Sequence, residues 1–577
     1  MMRCEDMSKE IRAKYIIPGD HGGSNYFAAI SELVKLRNTD PDKRAFYQKE
    51  IDAIYSLVRD EILISQARPI SPVKFGTSGW RGIIGKDLTV KSVGQVTQAI
   101  VNMYKSLDNG SALGLSLGVG SYKEARERGC VLGHDNRFGG EIFAQAVAEV
   151  LTAHGFRVHF AGESTTGVLS AAVMELGAAF SCNLTPSHNP LEYGGFKFNA
   201  ADAGPASPEI TKFIQEKAQE IIEGDLPVKK GVDSSLISPF NALDVWKGLI
   251  RKNKTIHCID YDAVIEEFGR RDDIVVAVDC VHGASRVHIR DLLGGASTDR
   301  LIILRGEDDP TFGGVAPEPS GKNMRLVNEA LKARKERLKL GVIMDPDADR
   351  IRFTDGRVEI EMNQFGALAY HYLHEVKGIK GLVAKTVATS NFANAIAAQL
   401  GEEVFEPKVG FKEFKPVIDR AVVCFEESDG ITVKGHTPEK DAYIGLILAL
   451  AMTLHLNQNL GRYMAEVQDR FGHFYAARDG VVVSQKGEGL SATLKVLSRH
   501  VPGTRLKVGA EEKVISRLID IDGYKMVFAD GSWLLIRPSG TEPKVRFYVE
   551  ARTEEGKKDL FDTARGLLKK VGLLVTL

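Results

Sequence analysis

The chain has no CxxC pair. Its six cysteines, Cys4, Cys130, Cys182, Cys258, Cys280 and Cys424, stand far apart in 577 residues. That spacing argues against a zinc knuckle or a disulfide scaffold and fits a reducing compartment. No apolar run reaches the roughly 18–20 residues that span a bilayer. The longest, Tyr443 to Leu456, contains Gly445 and His455 and reads as a buried helix. The opening residues Met1-Met2-Arg3-Cys4-Glu5-Asp6 lack the apolar core of a signal peptide. A cytoplasmic protein with no membrane partner is expected. Neither charge is in excess: 75 Lys+Arg against 76 Asp+Glu gives a formal net charge of -1. Nothing global points to a nucleic-acid partner, although a local basic pocket is compatible with that balance. Low-complexity segments and short-period repeats are also missing.

What is present is the composition of a folded protein, 44% hydrophobic and 26% charged. At about 150 residues per domain the length predicts roughly four domains. The first 70 residues are charged, with apolar positions at helical spacing: Ile30, Leu33, Val34 and Leu36, then Ile51, Ile54, Tyr55, Leu57 and Val58. Pro69 and Pro72 break this pattern. Strand-sized apolar runs then alternate with helical stretches, as at Cys130–Leu132, Ile274–Val278, Leu340–Met344, Gly381–Ala384, Ala421–Cys424 and Trp533–Ile536. Such alternation predicts α/β units. Gly231–Ser235 reads as a linker, Asp355–Arg357 as a turn, and Asn457–Asn459 as the end of the apolar helix.

Four loops that follow strands carry chemistry. In Thr185-Pro186-Ser187-His188-Asn189-Pro190 a serine between two prolines is expected on a stiff, exposed turn, where a nucleophile can be presented. A plain surface serine is the bland alternative, and the glycines of a GxSxG elbow are missing. In Asp345-Pro346-Asp347-Ala348-Asp349-Arg350 three carboxylates at alternate positions can converge on one hard cation, Mg²⁺ before a soft metal. In Phe425-Glu426-Glu427-Ser428-Asp429-Gly430 the short acceptors suit sugar hydroxyls. Lys408–Lys412 precedes this loop, and Glu439-Lys440-Asp441 follows it, with Asp441 expected as a helix cap. In Arg537-Pro538-Ser539-Gly540-Thr541-Glu542-Pro543-Lys544, with Arg546 beyond, arginine, hydroxyls and backbone N–H groups can cradle a phosphate. A fifth, glycine-rich segment, Lys74–Gly82, adds Arg81 near an anion.

Together these segments resemble the α-D-phosphohexomutase superfamily, and within it the bacterial glucose-specific phosphoglucomutases. "KFGTSGWRG", "LTPSHNP" with "GGFKFN", "DPDADR", "VGFKEF", "FEESDG", "EKDAY" and "RPSGTEPKVRFY" occur in the family's order between residues 74 and 548. The resemblance implies four α/β domains around a central active-site cleft. Three are similar mixed-sheet domains, and the fourth is a smaller C-terminal α+β domain. On this chain they would be a helical N-terminal extension (1–70), domain I with the phosphoserine loop (71–236), domain II with the metal-binding loop (237–355), domain III with the sugar-binding loop (356–462) and domain IV with the phosphate-binding loop (463–577). The resemblance makes Ser187 the serine that carries a phosphoryl group. Asp345, Asp347 and Asp349 match the Mg²⁺ ligands, whose ion also touches the Ser187 phosphate. Glu426 and Ser428 match the sugar loop, and Lys412 and Lys440 match cations lining the pocket. Arg537, Ser539, Gly540, Thr541 and Arg546 match the loop for the phosphate that is not transferred. Arg81, His188 and Lys197 match groups near the transferred phosphoryl.

The implied activity is a Mg-dependent isomerase of carbohydrate metabolism. It would interconvert glucose 1-phosphate and glucose 6-phosphate through phosphoserine and a glucose 1,6-bisphosphate that also acts as activator. Lys197 is the favoured base, provided neighbouring cations lower its pKa, and His188 is the rival. Domain IV is expected to hinge. Departures from the common pattern are Pro186, Pro346 and Asp429, the last an extra carboxylate able to alter sugar choice. Glucose ranks before mannose and glucosamine; a phosphomannomutase or a dual-specificity enzyme is the alternative. A phosphatase using Asp345 as nucleophile, and a non-catalytic sugar-phosphate binder, are the competing classes. The expected state is a monomer or a homodimer.

Overall fold

A computed structural model describes residues 4–76, 79–107, 112–295, 299–485, 487–539 and 544–574. The β-branched runs form four sheets. The first contains β1 (Trp80–Ile83), β2 (Cys130–His134), β3 (Val158–Glu163), β4 (Phe180–Leu184), β5 (Tyr193–Ala200) and β6 (Ile237–Pro239), in the order β1-β5-β4-β2-β3-β6. The second contains β7 (Ile274–Asp279), β8 (Leu301–Leu304), β9 (Leu338–Met344), β10 (Ile351–Thr354) and β11 (Glu359–Ile360), in the order β11-β10-β9-β7-β8. The third contains β12 (Val383–Lys385), β13 (Val404–Phe405), β14 (Val423–Glu426) and β15 (Gly430–Val433), in the order β13-β12-β14-β15. These three are mixed sheets built on one plan: a central strand has parallel neighbours, and the last parallel strand turns back into an antiparallel one. The fourth is antiparallel throughout: β16 (Tyr475–Val482), β17 (Arg505–Val508), β18 (Glu511–Ile519), β19 (Tyr524–Phe528), β20 (Trp533–Pro538) and β21 (Lys544–Ala551). The expected α/β architecture is thus present, three similar mixed sheets and a smaller C-terminal α+β part.

The helical reading of the first 70 residues also holds. Helices α1 (Cys4–Tyr15), α2 (Tyr26–Thr39) and α3 (Arg44–Ile64) form there, and the Asn25 side chain caps α2 by accepting from Ala28 N. Their apolar stripes do not form a separate core. Ile30, Leu33, Val34, Ile51, Ile54 and Val58 are buried in one cluster with Ile100, Leu132 and Phe180 of the first sheet's layers. The extension also reaches the second sheet's loops. Arg37 is buried and pairs with Asp309 at 2.9 Å, and Asn38 Nδ2 donates to the Gly313 carbonyl.

The chain divides into two compact units, Met1–Glu359 with Gly435–His455, and Ile360–Lys434 with Leu456–Leu577. In the second unit the fourth sheet is fastened to the third by buried ionic groups. Lys525 Nζ donates to Glu406 and to the Val387 carbonyl, and Lys385 pairs with Glu406 at 2.8 Å. Among the described residues no single helix is long and apolar enough to cross a membrane. The helix Ala442–Leu456 is buried from Ala442 to Leu454.

Candidate active site

In the first unit the serine loop joins β4 to β5, and the metal loop joins β9 to β10. Each occupies the same place in its sheet, the hairpin after the last parallel strand. The serine loop lies flat on β5 because Gly195 permits it: a Cβ there would stand 2.3 Å from the Thr185 carbonyl oxygen. Ser187 takes a left-handed backbone angle, φ 60°, which is costly for a non-glycine residue. It is not exposed as the proline turn suggested, since only 1% of its surface is accessible. Its Oγ donates to Asp345 Oδ2 at 2.7 Å and lies 3.3 Å from His188 Nδ1.

Asp345 does two jobs. Its Oδ1 accepts from the N–H groups of Asp349 and Arg350, closing its own turn, while Oδ2 faces Ser187. Asp345, Asp347 and Asp349 present ligand oxygens within 4.8 Å of one another. Burial, then repulsion from Asp347 and Asp349, push the Asp345 carboxyl well above the usual carboxylate range. Asp347 Oδ1 and Asp349 Oδ1 are buried with no hydrogen-bond partner. Crowded carboxylates with unused buried oxygens fit a hard divalent cation such as Mg²⁺.

The cations around this loop are specific. Lys197, on β5, donates to Asp347 Oδ2 and to Asp349 Oδ2 at 2.8 Å, and Lys440 pairs with Asp349 at 3.1 Å. Burial alone would raise Asp349, but Lys197, Lys440 and Arg350 outweigh it and hold that carboxylate well below its usual range. For Lys197 burial is likewise outweighed, by Asp347 and Asp349, and its ammonium is held above its usual value. The expectation that neighbouring cations would lower its pKa is therefore not met, because its nearest neighbours are carboxylates. Burial, then Arg350 and Arg81, keep the His188 imidazole well below its usual value. Arg81 Nε donates to the Pro186 carbonyl. Asp441 is the expected cap, accepting from Tyr443 N at 2.8 Å, and it also accepts from Trp246 and His436.

The second unit holds the remaining candidates. Glu426 ends β14 and accepts from Gly410 N at 3.0 Å. Ser428 is half-buried in the turn to β15. Asp429 is buried and 4.0 Å from Arg478. Lys412 sits in the short helical turn Phe411–Phe414, where burial lowers its ammonium. Arg537 and Arg546 face each other across β20 and β21, and Ser539 N donates to the Lys544 carbonyl. Gly540 and Thr541 lie outside the described residues.

Several groups escaped the sequence reading. Thr166 Oγ1 donates to Asp347 Oδ2 at 2.6 Å. Asp135 and Arg137, in the loop after β2, grip the serine loop. Asp522 accepts from Val409 N and pairs with Arg537, joining the segment before Lys412 to the candidate phosphate loop. The strand-then-polar-loop pattern is present at His134-Asp135-Asn136-Arg137 and was the available signal for that pair.

Comparison with known proteins matches four models of one family, phosphoglucomutase/phosphomannomutase. The alpha/beta/alpha domain I model covers residues 72–225, domain II 257–358, domain III 361–471 and the C-terminal domain 491–567. A probable phosphoglucosamine mutase of Methanopyrus kandleri is 28% identical over 493 residues, 85% of this chain and 96% of the relative. A phosphoglucomutase of Komagataeibacter xylinus is 27% identical over 546 residues, 89% and 92% of the two chains. A solved putative phosphomannomutase from Thermus thermophilus superposes with a TM-score of 0.68 at 24% identity, covering 86% of this chain and 99% of the other.

Proposed function

Because this chain belongs to the phosphoglucomutase/phosphomannomutase family and is a phosphohexomutase, we propose that it interconverts α-D-glucose 1-phosphate and glucose 6-phosphate through a phosphoserine at position 187. The observation that carries the reading is the Ser187 Oγ on Asp345, inside a cluster of three convergent aspartates. Asp345, Asp347 and Asp349, with the Ser187 phosphate, would hold Mg²⁺, which when bound offsets negative charge on the transferring phosphoryl group.

Phosphorylated Ser187 gives its phosphoryl group to the free hydroxyl of a hexose monophosphate. The Oγ–P bond breaks, a sugar O–P bond forms, and the hydroxyl proton goes to a base. Lys197 and His188 are the two candidates for that base; Asp347 and Asp349 favour the ammonium of Lys197, so it must give up a proton before it can act, whereas burial favours the neutral imidazole of His188. The resulting glucose 1,6-bisphosphate turns over and returns its other phosphoryl group to Ser187. Added bisphosphate would therefore activate a dephosphorylated enzyme. Glu426 and Ser428 accept from the sugar hydroxyls. Arg537, Ser539 and Arg546 hold the phosphate that is not moving, where the bidentate geometry of arginine suits it. Relatives of nearly equal identity carry glucose and glucosamine names. The preference for glucose therefore rests on the motif resemblance to the glucose-specific branch.

A coupled assay tests this. Glucose, mannose and glucosamine 1-phosphates are offered with Mg²⁺ and a trace of glucose 1,6-bisphosphate, with Ser187→Ala alongside. The expected result is fastest turnover of the glucose ester and none in the variant. Turnover of only another sugar refutes the glucose assignment and keeps the mutase.

A further inference from the structure

We propose that Arg137 is a positioning residue for Ser187: together with Asp135 and Thr185 it grips the serine's backbone from both sides and fixes the angle at which Oγ is presented. The inference rests on Ser187 being the phosphoryl carrier.

A serine at φ 60° persists only where its surroundings over-determine it. Here the surroundings are one compact ring. The buried Arg137 guanidinium donates to four carbonyls of the serine loop and its exit. These are Ser187 at 2.8 Å, Asn189, Pro190 at 2.6 Å and Tyr193 at 3.2 Å. Its flat face rests on the Phe312 ring, 4.8 Å from the centroid. On the other side Thr185 Oγ1 accepts from Ser187 N at 2.9 Å and donates to Asp135 Oδ2 at 2.6 Å. Asp135 Oδ1 in turn accepts from Arg137 N, which closes the ring. Both polar groups of the Ser187 backbone are therefore held by residues 135–137 and 185. Arg137 bonds to the Ser187 carbonyl, whereas Oγ bonds to Asp345 and lies against His188, so the effect of Arg137 passes through the backbone. These four divergent carbonyls take the four N–H groups of its two terminal nitrogens, and a lysine ammonium, with three donors on one atom, cannot reproduce that. The Tyr55 ring of α3 stacks on Phe138 at 4.3 Å and backs the same loop.

The experiment compares the full-length wild type with Arg137→Lys, Thr185→Val and Thr185→Ser. It reads kcat and KM with glucose 1-phosphate, and amide hydrogen exchange in peptides covering 183–193. Arg137→Lys and Thr185→Val are each expected to lower kcat about 100-fold, the scale of a misplaced reacting group. KM should stay within about threefold, because ground-state binding is untouched. Exchange should quicken in 183–193, and Thr185→Ser should restore kcat to within about threefold of wild type because its hydroxyl keeps both bonds. If Arg137→Lys does not fold, the Thr185 pair carries the test. An active wild type whose variants keep kcat overturns the positioning role. So does a loss confined to KM, unchanged exchange, or a Thr185→Ser variant as slow as Thr185→Val. A wild type inert toward all three hexose 1-phosphates overturns the phosphoserine reading first, and this inference with it.

Discussion

Ser187 and the three aspartates are held partly by residues outside the proposed catalytic and binding set. Thr166 is the clearest case, because its hydroxyl donates to Asp347 and its N–H to the Asp347 carbonyl. Losing that bond frees a ligand to turn away. Thr166→Val is expected to weaken Mg²⁺ activation about 10–100-fold, read by titrating activity with Mg²⁺ after chelation; an unchanged half-saturation would contradict it. The aspartates were legible because three carboxylates at alternate positions after a buried strand have few structural uses. Thr166 was not, since its partner is 181 residues away in sequence. Asp135 and Thr185 are 50 apart, and the same distance hid the grip on Ser187. That grip also explains why the proline turn reads as exposed from sequence: local stiffness is visible there, whereas the cover supplied by Asp345 and Arg137 comes from remote segments.

All four candidate loops fall between two antiparallel neighbouring strands: β4–β5, β9–β10, β14–β15 and β20–β21. The sequence showed a strand before each loop but not the antiparallel return, because pairing direction leaves no mark in composition. The helices α1 to α3 were legible from their spacing, and their role was not. They complete the core of the first sheet and reach Asp309 through Arg37. Arg37 also donates to Gln48 and Thr311, so its removal strands buried partners. Arg37→Met should cost about 3–5 kcal/mol, measured by urea unfolding of the full chain. With Asp309→Asn added, the double variant should lose less than the sum of the single variants. Additive losses would mean the pair is not coupled.

At about 150 residues per domain the length fits roughly four domains, and four sheets are present among the described residues. What length could not show is how the last sheet is fastened to the third. Lys385, Glu406 and Lys525 place two ammonium groups against one carboxylate, with Lys525 also over the Trp533 ring. Burial raises Glu406, but the two lysines outweigh it and bring it down to about 2. Burial, then Lys385, push Lys525 down to about 8 from its ordinary 10.5. Between those two values the unfolded chain binds more protons at this site, so its contribution to stability rises with pH there, and below about 8 it is a constant penalty. Lys525→Met should flatten that part of a stability profile taken from pH 7.5 to 10. Glu406→Gln, which leaves two buried ammonium groups facing each other, should cost about 3–5 kcal/mol. A smaller loss from Glu406→Gln than from Lys525→Met would refute this description. A last domain that hinges on its own would have to break this cluster.

The phosphoserine itself is open to the most direct measurement. Protein is treated with glucose 1,6-bisphosphate labelled with ³²P in both phosphates, digested and mapped, then chased with unlabelled glucose 6-phosphate. One label per chain is expected, on Ser187, stable to hydroxylamine and lost to the sugar on chasing. Label on Asp345 that hydroxylamine releases, or no label on an active enzyme, would contradict it.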